Sequence, residues 1–372
     1  MTELVLIINA GSTGLKFAAY SLSGTSSRIT GGAATCSDGM FKIKFQNGDE
    51  AVAQDSGDLD AQIVDHLEAE FSDFSIVAVG HRVVHGGADH KGPAVLTGSL
   101  LGTLASLEPF APLHQSAAIN GVVRLQKLIP GAINIACFDT AFHSNLPLTE
   151  RELPLPAPLR EHGYRRYGFH GLSYKYIAGW LREHRPAHER VVAAHLGGGS
   201  SLCALKGGVS VATTMGMTAL DGLPMTTRVG AIDPGIVLHL AREAGIEPVE
   251  KLLYERSGLA GLSDTDGDMR RMRDADTAEA ALAVAIFTSR IAQAAAALTV
   301  PLGGIDALIF TGGIGANDRR LRVDVSAALA HLGLFETLST DTDEELVMAR
   351  EVIGLLNQHD PSLFKRMNSN AL

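Results

Sequence analysis

Leu4-Val5-Leu6-Ile7-Ile8-Asn9-Ala10-Gly11-Ser12-Thr13-Gly14-Leu15-Lys16-Phe17-Ala18-Ala19-Tyr20 reads as an apolar run, a small polar turn and a second apolar run. The pattern predicts a β-hairpin whose first strand is buried. Its tip is rich in backbone N–H and hydroxyl donors, with Lys16 just beyond, which suits a phosphate. It is not a Walker A loop, which needs G-x-x-x-x-G-K-[ST] leading into a helix. The pattern recurs at Val191–Leu205, where V-V-A-A-H-L is followed by G-G-G-S-S and then L-C-A-L, so that Ser12 aligns with Ser200. Two such hairpins point to duplicated halves, because a phosphate chain gripped from both sides needs such a pair.

Other apolar runs end on polar residues that matter for chemistry. Ile133–Phe138 delivers Asp139, Tyr167-Gly168-Phe169 delivers His170, and Ile76–Val79 delivers Gly80-His81-Arg82-Val83-Val84-His85-Gly86-Gly87. The first polar residue after a buried strand sits at its C-terminal edge, where open α/β sheets bind ligands. Asp139 is therefore a candidate active-site carboxylate, with a plain turn aspartate as the alternative. Arg82 carries a rigid fork suited to a carboxylate or phosphate, with a surface ion pair as its alternative. Ile305–Phe310 reads as a strand that runs into the Gly-rich turn Thr311–Asn317 and a helix, a frequent nucleotide contact. Helices are expected over Asp60–Glu70, Ala117–Leu128, Leu172–Glu183, Pro234–Ala244 and Glu345–Asn357, with Ala278–Thr299 as an Ala-rich core helix. Thr213–Arg228 reads as a long functional loop, and the Pro-rich Leu153–Pro158 as the connection between domains. Asp264, Asp266 and Asp268 mimic the start of a Ca²⁺ loop, but Ala275 stands where the bidentate Glu belongs. His143, His162 and His184 read as structural or exposed.

The chain has 372 residues, 46% hydrophobic and 19% charged, enough for about two domains with a sizeable core. A formal net charge of −10 argues against nucleic acid or an anionic membrane as main partner. Cys36, Cys137 and Cys203 show no metal-ligand spacing and read as reduced, buried thiols, which sets the expected location as cytoplasmic. The N-terminus lacks signal-peptide character, and no uncharged apolar stretch of about 18 residues predicts a membrane span.

Taken together the motifs resemble the acetate kinase family. The blocks are Ile8–Lys16 (I-N-A-G-S-T-G-L-K), His81–Gly87, Ala111–His114 (A-P-L-H) and Phe138–His143 (F-D-T-A-F-H). They continue with Arg165–Ser173 (R-R-Y-G-F-H-G-L-S), His195–Ser201, the Met215–Pro234 loop, Asp268–Arg270, Thr311–Asn317 and Thr342–Leu346. The resemblance implies an α/β fold of two duplicated ribonuclease H-like domains, of the actin, Hsp70 and sugar kinase type, flanking a nucleotide cleft. The first domain would span residues 1–140 plus 346–372. The second, 141–345, would bind nucleotide and form a homodimer.

The implied reaction is reversible, Mg²⁺-dependent (or Mn²⁺-dependent) transfer between ATP and acetate, giving acetyl phosphate and ADP. Carried over by motif, Arg82 binds the acceptor, Arg228 stabilises the transition state and His170 donates a hydrogen bond to an equatorial oxygen. Asp139 orients the metal's shell or the reacting groups, or acts as acid/base. Asn9 and Glu344 hold the metal, with Glu345 able to substitute for Glu344. Val84, Leu113, His114, Phe169 and Ala219 shape the acceptor pocket. Lys16 meets a terminal phosphate, and His195, Leu196, Gly197, Gly198 and Gly199 cradle phosphates. Asp268, Met269 and Arg270, with Gly313, Ile314, Gly315, Ala316 and Asn317, flank the nucleoside. The chain departs from the family's usual residues at Gly14 (Ser), Gly198 (Asn), Ala219 (Pro) and Ala316 (Glu). Ala219 loosens one wall of the acceptor pocket, so propionate or another short-chain acid is the alternative substrate. A hydroxyl kinase of the same fold and a non-enzymatic nucleotide switch are the remaining readings.

Overall fold

The computed structural model describes residues 2–358 except 12–13, 23–25, 38–39 and 113. The chain divides into unit 1, residues 1–142 with 343–372, and unit 2, residues 143–342.

Unit 1 is built on an eight-stranded sheet. Its strands are β1 (Thr2–Ala10), β2 (Gly14–Ser21), β3 (Arg28–Ser37), β4 (Met40–Phe45), β5 (Glu50–Ala53), β6 (Phe74–Val83), β7 (Ala94–Val95) and β8 (Ile133–Phe138), in the order β5-β4-β3-β2-β1-β6-β8-β7. β1 to β5 form an antiparallel meander, while β6 lies parallel to both β1 and β8. Alternate residues of β1 face opposite ways. Leu4, Leu6 and Ile8 join a core with Leu59, Ile63 and Leu67 of the helix Ser56–Glu70. Ile7 faces the other way; a Cβ at Gly80 would touch both it and Val352 of the helix Glu344–Gln358. Both faces of β1 are thus covered, which is why it reads as an unbroken apolar run.

Unit 2 repeats the scheme with β9 (Arg190–Leu196), β10 (Ser200–Lys206), β11 (Val209–Thr213), β12 (Ala307–Thr311) and β13 (Glu336–Ser339), in the order β11-β10-β9-β12-β13. Here three antiparallel strands, rather than five, precede the parallel neighbours. The β9–β10 hairpin therefore occupies the place of β1–β2, as the repeated pattern predicts. The helix Ala278–Leu302 packs Ala283, Phe287, Ile291, Ala295 and Leu298 against this sheet's core. Each large side chain buried there is worth about 1.5–3 kcal/mol.

The helix Ala278–Leu302 is long and apolar enough to cross a membrane by length and composition alone, yet it is the core helix expected, with a buried stripe from Ala280 to Leu302 in the core of unit 2. One stripe packs, while Leu282 and Val300 are exposed. Several expectations need correction. The first helix starts at Ser56 rather than Asp60, because Asp55 caps it by accepting from the N–H groups of Gly57 and Asp58. The Pro-rich stretch lies inside unit 2, not between the units. Arg166 holds its neighbourhood to the sheet, donating from Nε to the Glu150 carbonyl at 3.2 Å and from Nη1 to the Thr213 carbonyl at 3.0 Å. Residues 343–345 fall in unit 1, because Asp343 caps the helix Glu344–Gln358 that packs on β1 and β6. Cys36 is exposed on β3, whereas Cys137 and Cys203 are buried.

Candidate active site

Three strand ends and one helix start deliver the polar groups of unit 1. β1 carries Asn9, β6 carries Arg82, and Asp139 follows β8 directly. The helix Glu344–Gln358 opens on Glu344 and Glu345. Since β1, β6 and β8 are parallel neighbours, their C-terminal ends lie side by side. Arg82 joins the groups. Its Nε and Nη2 both donate to Asp139 Oδ2, at 3.0 and 2.7 Å, and Nη1 donates to Asn9 Oδ1 at 3.1 Å. Glu344 Oε2 lies 3.7 Å from Nη1. Asn9 Nδ2 donates to Glu345 Oε1 at 2.6 Å and to Glu344 Oε2 at 3.1 Å.

The Asp139 side chain is 1% exposed, and its second oxygen, Oδ1, is buried with no hydrogen-bond partner among the described residues. Burial pushes this carboxyl up to about 6, against the pull of Arg82 and with the push of Glu344. Burial also works against the Arg82 charge, but the carboxylates of Asp139 and Glu344 outweigh it and hold the guanidinium protonated. One cation facing three carboxylates leaves an excess of negative charge that suits a hard divalent ion. Glu344, the second lone pair of Asn9 Oδ1 and the orphaned Asp139 Oδ1 are oxygen donors of the right type. Among the described residues no group of three or more His, Cys, Asp or Glu is arranged to hold a metal alone. Mg²⁺, which keeps several of its waters, fits such a sparse set.

Of the acceptor-pocket residues expected in unit 1, Val84 directly follows β6, the strand that carries Arg82, and His114 lies on a neighbouring loop. Gln115 Nε2 donates to the His85 carbonyl at 3.1 Å, so the loop carrying buried Val84 runs beside the one carrying His114. Leu113, with Ser12 and Thr13 of the first hairpin tip, lies outside the described residues. Lys16 is exposed on β2.

Unit 2 carries the rest. His170 has φ 57° and ψ 26°, a left-handed conformation just before the helix Gly171–His184. A non-glycine residue there costs about 1–3 kcal/mol. His143 helps to hold it, with Nε2 3.0 Å from the Phe169 carbonyl and Nδ1 2.7 Å from Ser210 Oγ. Burial lowers the His143 pKa to about 4, so this ring is neutral. Its Nε2–H donates to the carbonyl, and Ser210 Oγ donates to Nδ1. His143 is thus structural, as expected. The His170 ring stacks on that of His195, with centroids 4.3 Å apart. A Cβ built on Gly199 would lie 3.0 Å from His170 Nε2 and 3.8 Å from Arg228 Nη1. The His170 and Arg228 side chains therefore both border the turn between β9 and β10. Arg228 is buried, and its Nη1 donates to the Ala219 carbonyl at 3.2 Å.

Beside this turn lies a cavity of about 800 Å³ lined by Gly197, Gly198, Asp268, Met269, Arg270, Gly313, Ile314 and Asn317. Eight of the expected nucleotide contacts are thereby brought together. His195, Leu196, Gly199, Gly315 and Ala316 do not line it, and Leu196 belongs to the core. Gly312, at φ 79°, allows the close crossing of β9, since a Cβ there would lie 2.6 Å from the Leu196 carbonyl oxygen. Arg270 bonds Asp268 and holds its carboxyl down at about 2. Thr226, Asp266, Gly267, Arg273, Asp318 and Arg319 also line the cavity and were not anticipated. Asp318 carried a legible signal as the cap of the helix Arg319–Ala328; the others reach the cavity by tertiary folding alone.

Residues 4–362 match the Acetokinase family. The chain belongs to the acetokinase family. It is 41% identical over 365 residues to an acetate kinase of Rhodopseudomonas palustris, covering 93% of this chain and 90% of that one. An acetate kinase of Methylocella silvestris is 39% identical, with 96% and 99% covered. Among solved acetokinase relatives, the propionate kinase of Francisella tularensis has a TM-score of 0.86 at 32% identity, covering 94% of this chain and 98% of that one. The acetate kinase of Porphyromonas gingivalis has a TM-score of 0.83 at 29% identity, covering 95% and 100%.

Proposed function

We propose that the chain transfers the γ-phosphoryl group of ATP reversibly to acetate, forming acetyl phosphate and ADP. The observation that carries this reading is the match to acetate kinases along nearly the whole chain. The site chemistry agrees with it. A carboxylate oxygen forms the new bond to phosphorus while the bond to the β–γ bridging oxygen breaks, its electron pair leaving with ADP. No proton moves, so no strong base is needed. The task is to place one anion against another and to neutralise the charge between them.

Arg82 is assigned to the acceptor carboxylate, which its planar fork matches, and Asp139 keeps that fork oriented. Arg228 and His170 are assigned to the equatorial oxygens of the transferring group, and the 800 Å³ cavity of unit 2 to the nucleoside. When bound, Mg²⁺ would neutralise charge on the phosphates; Asn9 and Glu344, with Glu345 behind them, would hold its shell. We place the enzyme in the cytoplasm as a homodimer. The helix Pro234–Ala244 buries none of its residues and exposes Ile236 and Leu238, with Ile232 and Ile246 exposed at its ends, a surface that suits a second copy.

A hydroxamate trap for acyl phosphate, run with ATP and acetate, propionate or butyrate, tests the reading. Acyl phosphate from acetate is expected. None from any acid would overturn it. Propionate is the second substrate, favoured by the Francisella tularensis propionate kinase fold match. One methylene in an apolar pocket is worth only about 1–3 kcal/mol, so the two acids should overlap.

A further inference from the structure

We infer that Tyr174 and Ser201 are positioning residues: together they fix His170 as the tautomer that carries its proton on Nε2. Ser201 Oγ lies 2.8 Å from His170 Nδ1 and 2.6 Å from the Tyr174 hydroxyl, and all three residues are buried in unit 2. His170 precedes the helix Gly171–His184, Tyr174 is on its first turn, and Ser201 is on β10.

The direction of the chain follows from proton counting. Burial raises the Tyr174 pKa well above its ordinary value, so the phenol keeps its proton, and the His195 main chain also hydrogen-bonds to its oxygen. The phenol O–H therefore donates to Ser201 Oγ. The serine proton then has His170 Nδ1 as its acceptor, and a nitrogen that accepts carries no proton. The imidazole proton must sit on Nε2, the atom that borders Gly199 beside Arg228. The reverse tautomer, or the doubly protonated ring, would direct Nδ1–H at Ser201 Oγ. That would strip the serine hydroxyl of its acceptor in a site closed to water, which is costly. The Arg228 guanidinium beyond Gly199 is a like charge that opposes the doubly protonated form as well.

The consequence rests on the phosphoryl-transfer reading above. Nε2–H is a ready donor, whereas an unprotonated Nε2 would turn a lone pair toward a phosphoryl oxygen and repel it. Ser201 and Tyr174 would then raise turnover without touching substrate.

The test has one arm independent of that reading. In protein labelled with ¹⁵N-histidine, the ring signals of His170, assigned by loss in His170→Asn, should show an unprotonated Nδ1 and a protonated Nε2. Tyr174→Phe removes the driving O–H, and Ser201→Ala removes the relay; each should give a mixed or reversed tautomer. In the acyl phosphate assay Ser201→Ala should lower kcat by about tenfold or more while KM for ATP changes little, and Ser201→Thr should restore it, as for partners that orient other functional histidines. A wild-type ring protonated on Nδ1 overturns the inference even if no variant folds. So does a Ser201→Ala protein that folds and keeps the wild-type tautomer. The correct tautomer with unaltered kcat in Ser201→Ala overturns the catalytic consequence, and loss of all carboxylate kinase activity in wild type strikes the functional reading alone.

Discussion

Arg82→Ala removes the guanidinium that faces Asp139, Glu344 and Glu345, and its cost should depend steeply on pH. Deleting one partner of a buried ion pair costs about 3–5 kcal/mol, because the other charge is left stranded. Asp139 is such a partner at 1% exposure. Its remedy is to take up a proton. Its carboxyl already stands at about 6 instead of 3.8 with Arg82 in place. A shift of that size corresponds to about 3 kcal/mol. Because the folded carboxyl is raised, its contribution to stability is fully present below about pH 4 and is lost as pH climbs through about 6. Without Arg82 the downward pull on the carboxyl vanishes, so the loss continues to higher pH. At pH 5 Asp139 is protonated in the variant and the stranded charge disappears; at pH 8 it must either be ionised without its partner or keep a proton that the unfolded chain would release, and both cost stability. The melting temperature of Arg82→Ala should therefore fall little at pH 5 and by about 10 °C at pH 8. Adding Asp139→Asn should recover more than half of the deficit at pH 8. Differential scanning calorimetry of the four proteins across pH 5–8 reads this directly. An equal deficit at both pH values, with no recovery in the double variant, would refute the coupling of these two groups.

Arg228→Ala should lower kcat for acetyl phosphate formation by about 10²–10³-fold while nucleotide binding, followed by fluorescence titration, persists, because Arg228 does not line the unit 2 cavity. Gly312→Ala should destabilise the protein by several kcal/mol, since a left-handed φ of 79° and a Cβ 2.6 Å from the Leu196 carbonyl oxygen act together; a melting temperature within about 1 °C of wild type would contradict this. Leu238→Lys, on the exposed helix Pro234–Ala244, should shift the molecule toward monomer in analytical ultracentrifugation with its circular dichroism unchanged. A wild-type monomer would remove that surface from consideration.

Much of the scaffold was readable because its signals are local. Buried strands are continuous apolar runs, so β1, β8, β9 and β12 and the polar residues that follow them stood out. The duplicated hairpins were visible for the same reason, and the sheet orders show the repeat they implied. Boundaries were harder. The helix Ser56–Glu70 begins where a side chain caps it, not where apolar periodicity starts. The division of the chain falls where packing changes, ahead of the prolines that suggested it. Arg273 and Asp318, paired at 2.7 Å in the wall of the cavity, are 45 positions apart and no periodicity links them.

The amino-acid sequence by itself determined the class of fold, the order of its strands' chemistry and the family, because these reside in short runs and motifs that each keep their meaning in isolation. Tertiary structure alone decided which partner each polar atom takes. Asp139 Oδ1 is left without a partner among the described residues, the Arg82 guanidinium is shared between Asp139 and Asn9, and Ser201 stands between a phenol and an imidazole. The physical reason is range: burial patterns are set by neighbours a few residues away, whereas a hydrogen bond demands two atoms within about 3 Å whatever their separation along the chain.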